Sequence, residues 1–523
     1  MSGLLWRVFE DVAAARGDAP ALIHGDRRVS FQELRQLALQ FAGAAARRGL
    51  GPGDRCLVYG ANSPRAAAAI LAAWRLDAIV ILIPDEAPQT HLEHAHNVCQ
   101  PRLVIVDEVS AQQAATVLDC PMLLLDDPAI EAGGGGDMPA MQRRDAHGAA
   151  PASIFFTSGS TGQPKGVTQS HATLLAGCRM VASHLGLKTD DSIVCPVPWA
   201  FDYGYGQLLS TLLLGVTQII PVGRGAQFLC EAIETHRPTV FAALPSILAL
   251  LLRGVSPIRK TDLSSLRLIT NTGGAIPEAI FNDTLEVFAN AALSLNYGMT
   301  ETYRTAGLPL DLARERPFSV GFGYPGVAVS VLRPDGQEAE PDEVGEIVHR
   351  GTGAFSGYWG DPEATAKVLR PDPLWLHTGI EAPKVVFTGD LGWKDKDGFL
   401  SIKGRRDRMI KSMGFRVSLD EVEVLLRKPG IARELYLVSL PHEVLGEMIV
   451  CVVRRENEAD NPVPALKAYA RKEFGRYMQP QDYRVVDEFP LTPNRKIDLV
   501  KLKQECAAQS SQWMAGGSKK AAS

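Results

Sequence analysis

The chain has 523 residues, which is too long for one compact core, so two or three domains are expected. Hydrophobic residues make up 46% of the sequence and charged residues 22%, as in an ordinary water-soluble globular protein. The formal net charge of −5 argues against nucleic acid as the main partner.

Cysteine usage and the N-terminus indicate the cellular compartment. The eight cysteines are scattered and form no Cys-x-x-Cys pair, so neither a disulfide framework nor a zinc knuckle is expected. The N-terminus reaches Glu10 and Asp11 before any apolar stretch develops, which predicts that there is no signal peptide. We therefore expect a cytoplasmic protein, as a monomer or a homodimer.

The two most apolar windows, residues 208–221 and 240–252, are candidates for membrane spans. Both are interrupted by polar residues or proline, and both fall short of the roughly 20 residues that a spanning helix needs. They are predicted to be buried pairs of one helix and one strand, and no membrane span is expected.

In chain order, the first clear element is a helix that begins at the capping box Ser30-Phe-Gln-Glu33. Its apolar spacing continues to Ala45 and ends near Gly49. Short apolar runs then alternate with helical patterns, which predicts a mostly parallel sheet wrapped by helices. These runs and patterns are 56–59, 66–74, 78–83, 91–98 and 103–106.

The fourth of these segments and the residue after it carry four side chains that could ligate a metal: His91, His94, His96 and Cys99. Their spacing is poor for one helical face, because positions i and i+3 align whereas position i+5 points away. We therefore favour a solvated helix leading into a strand over a metal site.

A stretch rich in glycine and hydroxyl groups follows the apolar run 154–156. Residues 157–166 are Thr-Ser-Gly-Ser-Thr-Gly-Gln-Pro-Lys-Gly. Backbone N–H groups and hydroxyls can converge there on phosphate oxygens, and glycines leave room for that approach. The spacing is not that of a Walker loop. From composition alone, a mobile polar turn is an equal alternative.

The remaining pattern predicts the fold class. Residues 126–150, with four consecutive glycines, are predicted to be a flexible surface loop. After His171 the alternation resumes, and from about residue 320 short strands with turn signals predict a small β unit. The predicted strands of these two regions are 218–222, 239–242, 266–270, 293–297, 327–332 and 345–349. We expect an α/β fold: a large N-terminal domain of two α/β sheet layers plus the small β unit, then a small mobile α+β C-terminal domain.

Six motifs in order resemble those of the adenylate-forming superfamily, which includes acyl-CoA synthetases, amino-acid adenylation enzymes and luciferases. Residues 157–166 meet every specified position of its signature Thr-Ser-Gly-(Ser/Thr)-Thr-Gly-x-Pro-Lys-Gly. The other five motifs are 271–277 (Asn-Thr-Gly-Gly-Ala-Ile-Pro), 296–301 (Asn-Tyr-Gly-Met-Thr-Glu), 387–390 (Phe-Thr-Gly-Asp), 404–418 and 493–498. The resemblance covers about residues 8 to 505. It implies an adenylation domain at 1–404, a mobile domain at 405–506 and a disordered tail at 507–523.

The resemblance also implies ATP and Mg²⁺ as cofactors and assigns roles to residues. Catalysis falls to Lys496, Glu301 and Thr157, with Glu301 also as the magnesium ligand. Asp407 matches the hinge of the C-terminal domain, and Gly414 matches the glycine beside the pantetheine tunnel. The residues implied to bind ATP are Ser158, Gly159, Ser160, Thr161, Gly162, Lys165, Gly273, Gly274, Ala275, Asn296, Tyr297, Gly298, Thr300, Asp390 and Arg405.

The residue types suit these roles. An aromatic ring such as Tyr297 can stack on a purine, and a carboxylate beside a triphosphate can hold Mg²⁺. Asp390 can accept hydrogen bonds from both ribose hydroxyls, and Arg405 can pair with ribose or phosphate. At Lys496 the chain departs from the family pattern, because Arg495 stands where a glycine is usual.

The predicted substrate residues are Asp202, Tyr203, Ala243, Asn271, Gly273 and Tyr303, although Tyr203, Ala243, Asn271 and Tyr303 could instead be ordinary core residues. Where many fatty and aryl acid ligases carry Pro-x-x-His, this chain has Pro-Trp-Ala-Phe-Asp at 198–202. The Phe-Asp pair resembles the amino-acid branch, whose aspartate pairs with the substrate ammonium. A buried Asp202 without a partner would favour such a cationic substrate. A solvated or helix-capping Asp202 is the alternative.

The implied reaction is that of an AMP-forming acid–thiol ligase. A carboxylic acid is activated as acyl-AMP and transferred to CoA or to the phosphopantetheine of a carrier protein. An amino acid or another small acid is the first expectation for the substrate, and a fatty or aryl acid the alternative. A luciferase-like oxygenase and a catalytically silent binding protein are the other hypotheses.

Replacing Lys496 by alanine should damage acyl-AMP formation much more than thiol transfer. The lysine is expected to offset the charge that builds when one anion attacks another, and that charge arises in the first step. ATP–pyrophosphate exchange measures this step, and unchanged exchange in the variant would refute the assignment.

Overall fold

The computed structural model describes most of the chain as two compact units, with a large unit at 5–157 and 165–405 and a small unit at 409–508. This mixed α/β architecture, with a large N-terminal and a smaller C-terminal domain, confirms the predicted fold class. The boundary at residue 405 and the mobility of the second domain stay predictions. The described residues are 5–87, 89–132, 148–157, 164–375, 381–405, 409–432, 434–455, 461–490, 497, 499 and 501–508.

The strands of the large unit fall into two sheets. They are β1 (Pro20–His24), β2 (Arg27–Ser30), β3 (Arg55–Gly60), β4 (Ile79–Pro84), β5 (Leu103–Val106), β6 (Met122–Leu124), β7 (Pro151–Thr157), β8 (Lys165–Ser170), β9 (Ser192–Val194), β10 (Thr217–Ile220), β11 (Val240–Ala243), β12 (Leu268–Asn271), β13 (Ala292–Tyr297), β14 (Ala306–Gly307), β15 (Ser319–Gly323), β16 (Val327–Leu332), β17 (Gly345–Gly351), β18 (Gly357–Tyr358), β19 (Leu369–Pro371), β20 (Lys384–Lys394) and β21 (Leu400–Arg405).

The helices of the large unit lie between these strands, as the alternating pattern predicts. They are α1 (Leu5–Arg16), α2 (Phe31–Arg47), α3 (Pro64–Arg75), α4 (Gln89–Cys99), α5 (Glu108–Val117), α6 (Pro128–Ala132), α7 (His171–Leu185), α8 (Asp202–Leu214), α9 (Ala226–His236), α10 (Pro245–Arg253), α11 (Glu278–Val287) and α12 (Pro362–Val368). Short 3₁₀ helices lie at Ile258–Lys260, Thr300–Thr302 and Pro373–Trp375.

The first sheet runs in the order β18-β8-β7-β4-β3-β5-β6, and β3 to β7 pair in parallel. The second runs β16-β17-β20-β21-β15-β14-β13-β12-β11-β9-β10-β1-β2, with β19 paired to β20. Its strands from β9 to β13 are parallel neighbours. The strands of the predicted small β unit are hydrogen-bonded to the second α/β sheet through β14 and β15.

Helix α2 shows why the local signals succeed. The Ser30 hydroxyl accepts a hydrogen bond from the Glu33 N–H at 3.1 Å, and the Glu33 carboxylate accepts one from the Ser30 N–H at 2.7 Å. The predicted capping box is thereby confirmed. Its apolar face then enters the main core of the large unit, where Phe41 lies with Trp6 of α1 and Trp74 of α3, all three fully buried.

The histidine-rich segment forms α4 and leads into β5, which confirms the helical interpretation. Leu92, Ala95 and Cys99 bury the apolar side of α4, while His96 pairs with Asp119 at 2.8 Å. No cluster of three metal-ligating side chains occurs among the described residues, here or elsewhere.

The predicted loop 126–150 and the two apolar windows have different outcomes. The loop prediction is wrong at α6, where five residues are helical, and residues 133–147 lie outside the described chain. The windows form α8 with β10 and β11 with α10, as predicted. Within the described part of the chain, no helix is both long enough and apolar enough to cross a membrane.

The small unit is an α+β domain built on one sheet. Its strands and helices are β22 (Met409–Ser412), β23 (Phe415–Ser418), α13 (Leu419–Arg427), β24 (Leu435–His442), β25 (Gly446–Arg454), α14 (Val463–Glu473) and β26 (Asp482–Val486). The sheet order is β23-β22-β25-β24, and β26 pairs in parallel with β25. Helices α13 and α14 bury their apolar residues, among them Leu426 and Leu466, in one core on this sheet.

A histidine in β17 is fully buried in the second sheet. The Nε2 atom of His349 lies 2.9 Å from the Thr352 carbonyl, which can only accept, so Nε2 carries the proton. Its Nδ1 atom lies 3.2 Å from the Thr305 hydroxyl. Burial lowers the pKa of His349 to about 4, and burial lowers the pKa of His171 to about 4 as well.

Stability should therefore fall as the pH decreases from the ordinary histidine pKa of 6.5 toward about 4. In that window the unfolded chain binds a proton at His349 and the folded chain does not, so acid favours unfolding, by on the order of 3 kcal/mol once the window is crossed. Urea unfolding at several pH values measures the free energy of unfolding. Between pH 6.5 and about 4, this free energy should decrease less for His349→Gln than for the unchanged protein. His171→Gln serves as a second test at another site, and an undiminished loss in both variants would contradict this prediction.

Candidate active site

The strands on either side of the glycine-rich stretch pair with each other as an antiparallel hairpin. Strand β7 ends at Thr157 and β8 begins at Lys165, and these two residues are partners in the antiparallel register. The hairpin therefore holds the two ends of the predicted phosphate loop next to each other. Ser158, Gly159, Ser160, Thr161 and Gly162 lie outside the described residues, so their predicted role stays a prediction.

Beside this hairpin, a phenol connects Lys165 with Glu301. The Lys165 Nζ atom lies 5.1 Å from the centroid of the Tyr358 ring, within the range of a cation–π contact. On the other side, the Tyr358 hydroxyl donates a hydrogen bond to Glu301 Oε1 at 2.8 Å. We call these three residues the Lys165–Tyr358–Glu301 array. It brings together two predicted site residues that are 136 positions apart in the sequence.

Tyr358 is a site residue that sequence reasoning missed. It belongs to the two-residue strand β18, which pairs with β8 two positions beyond Lys165. Its neighbours in sequence, Gly357 and Trp359, give no sign of a role in a site. The only available signal is the hydrogen-bonding register of β18, which the tertiary fold sets.

The segment that carries Glu301 is held by its backbone. Gln169 of β8 donates a side-chain hydrogen bond to the Thr300 carbonyl at 2.6 Å, and the Phe355 N–H donates to the Glu301 carbonyl at 2.9 Å. The Glu301 residue is only 2% exposed. Its carboxylate is therefore held in place next to the hairpin that bears the loop.

Tyr297 and Asp390, both predicted to bind ATP, contact each other. The Tyr297 hydroxyl donates a hydrogen bond to Asp390 Oδ2 at 2.6 Å. Asp390 lies opposite Arg405 in the register of β20 and β21. Tyr297 itself is 3% exposed and packs in a small apolar core with Ile347. Its hydroxyl orients the Asp390 carboxylate, whereas stacking on a purine stays a prediction.

Asn296 ties together the ends of two parallel strands. Its side-chain amide donates hydrogen bonds to the Asn271 carbonyl at 2.9 Å and to the Thr270 hydroxyl at 3.2 Å. Its carbonyl oxygen accepts one from the Tyr324 hydroxyl. Ala243 pairs with Asn271 at the next strand, so these predicted site residues share one edge of the sheet. Gly273, Gly274 and Ala275 follow β12 at that edge and are partly or fully exposed.

The predicted substrate residue Asp202 is ion-paired in the structure. It is the first residue of α8, and its Oδ2 atom lies 3.2 Å from Arg304 Nη1. The Asp202 side chain is 25% exposed, whereas that of Arg304 is 5% exposed. The premise of a buried carboxylate without a partner therefore does not hold. The N-cap of α8 is Phe201, so Asp202 does not cap the helix as the alternative interpretation had it; it lies in the first turn, and the Arg304 guanidinium neutralises its charge.

Arg304 was also missed by sequence reasoning. Its Nη1 atom donates to the Tyr303 carbonyl at 2.5 Å, and its Cζ atom lies 5.1 Å from the centroid of the Tyr203 ring. Tyr203 in turn donates a hydrogen bond from its hydroxyl to the Thr270 carbonyl at 2.6 Å. A partly buried aspartate is stabilised by a cationic partner, but 102 positions separate the two charges, and only the fold pairs them.

Tyr303 lies in the main core of the large unit. It is 4% exposed, and a Cβ placed on Gly177 would lie only 2.6 Å from a carbon of its ring. Burial raises the pKa of the Tyr303 phenol far above its usual range, so the phenol stays neutral. Packing between α7 and α8 accounts for this tyrosine, and a role toward the substrate stays a prediction.

Three other predicted residues lie at or beyond the end of the large unit. Lys496 and Asp407 are outside the described residues. Gly414 lies with Met413 in the turn between β22 and β23, and both have positive φ, 85° and 53°. The positive φ of such a two-residue hairpin turn is enough to explain a glycine at this position. A role of Gly414 beside a thiol tunnel stays a prediction.

Comparison with known proteins gives a consistent result along the whole chain. The family model described as AMP-binding enzyme matches residues 9–359, and that of the AMP-binding enzyme C-terminal domain matches 421–496. The 3-hydroxybenzoate–CoA ligase of Aromatoleum sp. (strain CIB) is 29% identical over 514 residues, and the match covers 94% of this chain and 94% of that protein. The sulfoacetate–CoA ligase of Cupriavidus necator is 28% identical, with 94% of this chain and 95% of that protein covered. The structure of the amide bond synthetase McbA from Marinactinospora thermotolerans superposes with a TM-score of 0.85 at 27% identity, over 95% of this chain and 99% of that one.

Removing one hydroxyl should test the array. In Tyr358→Phe the ring remains beside Lys165, but the hydrogen bond to Glu301 is lost, so we expect about a tenfold lower kcat/KM for ATP, as for the loss of a charge-assisted hydrogen bond. ATP–pyrophosphate exchange is the measurement. Tyr59→Phe is the matched control, because it removes a phenol hydroxyl that bonds Gln113 in the same domain. Equal effects of the two variants would contradict a role for the array.

Proposed function

The chain belongs to the AMP-binding enzyme family, and on that premise we propose that this AMP-forming ligase activates a small aryl carboxylic acid and transfers it to a thiol. The acid is joined to AMP as a mixed anhydride, with release of pyrophosphate. The thiol of CoA or of a carrier-protein phosphopantetheine then displaces AMP and forms the thioester.

The observation that carries the nucleotide part of the proposal is the Lys165–Tyr358–Glu301 array. A cation and a carboxylate flank one phenol beside the paired ends of β7 and β8, the strands between which the glycine-rich stretch lies in sequence. In this proposal Lys165 pairs with phosphate oxygens, and the loop supplies backbone N–H groups. The Tyr297–Asp390 pair supports a ribose site, because an oriented carboxylate can accept from two hydroxyls.

Glu301 suits the Mg²⁺ that the family implies. Carboxylate oxygens together with substrate phosphates are the ligands Mg²⁺ prefers, and Glu301 is a buried carboxylate bonded to Tyr358, whose ring contacts Lys165. When bound, Mg²⁺ would neutralise phosphate charge and orient the triphosphate. The chain's own contribution is to hold that carboxylate: Tyr358 fixes one oxygen, and Gln169 and Phe355 fix the backbone on either side.

The Asp202–Arg304 pair supports an acid without an α-ammonium group. Asp202 already has a cation 3.2 Å away, and a substrate ammonium at the same carboxylate would lie close to the guanidinium charge. The amino-acid hypothesis needs Asp202 to be available, so this pair weighs against it. The similarity over 94% of both chains to a ligase that acts on 3-hydroxybenzoate supports an aryl acid instead.

The acyl acceptor is proposed from the relatives. Both curated relatives described above are CoA ligases, which favours a thiol. The resemblance to McbA makes an amine the second candidate, because that match combines 27% identity with a TM-score of 0.85 over nearly the whole chain. The two candidates share the adenylation step and differ only in the nucleophile that displaces AMP.

A screen of acids tests the proposal. The full chain with ATP and Mg²⁺ should catalyse pyrophosphate exchange with benzoic and cinnamic acids and much less with α-amino acids or long-chain fatty acids. CoA, a phosphopantetheinylated carrier protein and a simple amine are then offered with the best acid, and a thioester product is expected. Release of ADP and phosphate in place of AMP and pyrophosphate would overturn the adenylation chemistry. Strong exchange with α-amino acids would overturn the substrate class.

A further inference from the structure

Arg304 lies near the carboxyl ends of β12 and β13, since Thr305 next to it bonds the Tyr297 carbonyl. It follows β13 and stacks on Tyr203, whose hydroxyl bonds the carbonyl of Thr270 near the end of β12. The carboxyl ends of parallel strands in open α/β sheets form the usual crevice for ligands. A buried guanidinium at that edge is costly unless its donors find acceptors.

The donors of Arg304 are only partly used. Both of its hydrogen bonds, to Asp202 Oδ2 and to the Tyr303 carbonyl, come from Nη1. Within the described part of the chain, its Nε and Nη2 atoms have no hydrogen-bond acceptor. The guanidinium therefore keeps N–H groups that an incoming group could satisfy.

Two glycines adjoin the Arg304 side chain. A Cβ on Gly206 of α8 would lie 4.0 Å from Nη2, and one on Gly298 would lie 3.4 Å from Cδ. Both positions are closely packed, because the Cβ on Gly206 would also lie 3.3 Å from the Tyr303 hydroxyl and the one on Gly298 only 2.9 Å from the Arg304 Cα atom, so each glycine leaves the space that these side chains need. The unused donors and the two glycines belong to one small region of the large unit, beside the predicted substrate residues Asp202 and Tyr203.

The charges around Arg304 select the kind of group that fits. Asp202 and Arg304 form a pair without net charge. A substrate cation would be repelled by the guanidinium, and a second substrate anion would leave the buried group of three charges with a net negative charge. A hydrocarbon would leave the remaining N–H groups without partners. A neutral acceptor, such as a phenol, ether or carbonyl oxygen, satisfies them at no charge cost.

We propose that Arg304 determines the specificity of this enzyme by binding a neutral hydrogen-bond acceptor on the acid substrate, away from its reacting carboxylate. The inference rests on the proposed function and narrows its substrate class to aryl acids with a hydroxyl, alkoxyl or carbonyl substituent. Asp202 is then a positioning residue, which holds Nη1 so that the other nitrogens face the substrate.

The test compares isosteric acids. For the full-length protein, kcat/KM in ATP–pyrophosphate exchange is measured with hydroxybenzoates and methylbenzoates substituted at positions 2, 3 and 4, and with the matching aminomethyl and carboxyl compounds. We expect at least one hydroxybenzoate to exceed the methyl isostere at the same position by about tenfold or more, because a site built to bond a hydroxyl rejects analogues without it. The aminomethyl and carboxyl compounds should be poor substrates.

Variants then assign the preference to the arginine. Arg304→Met should reduce the hydroxyl-to-methyl ratio to near one, mainly by lowering kcat/KM for the hydroxybenzoate. The double variant Asp202→Asn/Arg304→Met avoids an unpaired carboxylate and should give the same ratio if the single variant folds poorly. An equal loss for both acids would assign Arg304 a structural role or a role at the reacting carboxylate and would overturn the proposal.

Pyrophosphate exchange by the unchanged enzyme distinguishes failure of this inference from failure of the proposed function on which it rests. If it exchanges pyrophosphate with aryl acids but prefers the methyl isostere at every position, the inference fails and the proposed function stands. If it exchanges pyrophosphate with none of the acids, both fail.

Discussion

The parallel pairing of β11, β12 and β13 is the constraint on which the candidate active site depends. Because the three strands run in the same direction, their carboxyl ends meet at one edge, and Ala243, Asn271 and Tyr297 lie there. The side chain of Asn296 in β13 donates a hydrogen bond to the end of β12. This bond stabilises the edge in addition to the backbone hydrogen bonds of the sheet. Tyr297 then reaches Asp390 of β20, which the continuous second sheet places within hydrogen-bond distance.

Pairing of buried charges shapes the rest of the site. Glu301 and Arg304 are almost fully buried, and a charged group in such surroundings needs partners. Glu301 accepts from Tyr358, and Arg304 neutralises Asp202. The first contact leaves a carboxylate beside the loop hairpin, which suits a magnesium nucleotide. The second removes the reason to expect an ammonium group on the substrate, and it leaves guanidinium donors that favour an oxygen-bearing acid.

Much of the fold could be predicted because its signals are local. The capping box of Ser30 and Glu33, the strands at 103–106 and 327–332, and the pairing of each apolar window into one helix and one strand all depend on residues close in sequence. Elsewhere the predicted strand ends differ from the observed ones by one or two residues, because hydrogen-bond register decides where a strand ends. The short helix α6 was missed because a five-residue helix has little periodicity of its own.

The sequence by itself determined the family, the α/β class and the stretches that carry the chemistry, because motif spacing and apolar periodicity are properties of neighbouring residues. Only the tertiary structure decided which side chains share a site. Tyr358 meets Glu301 across 57 positions, and Arg304 meets Asp202 across 102. Such contacts follow from sheet register and helix packing, and a buried charge takes whichever partner the fold brings to it. That is why the interpretation of Asp202 changed, whereas residues 158–163 lie outside the described chain and their role toward phosphate stays a prediction.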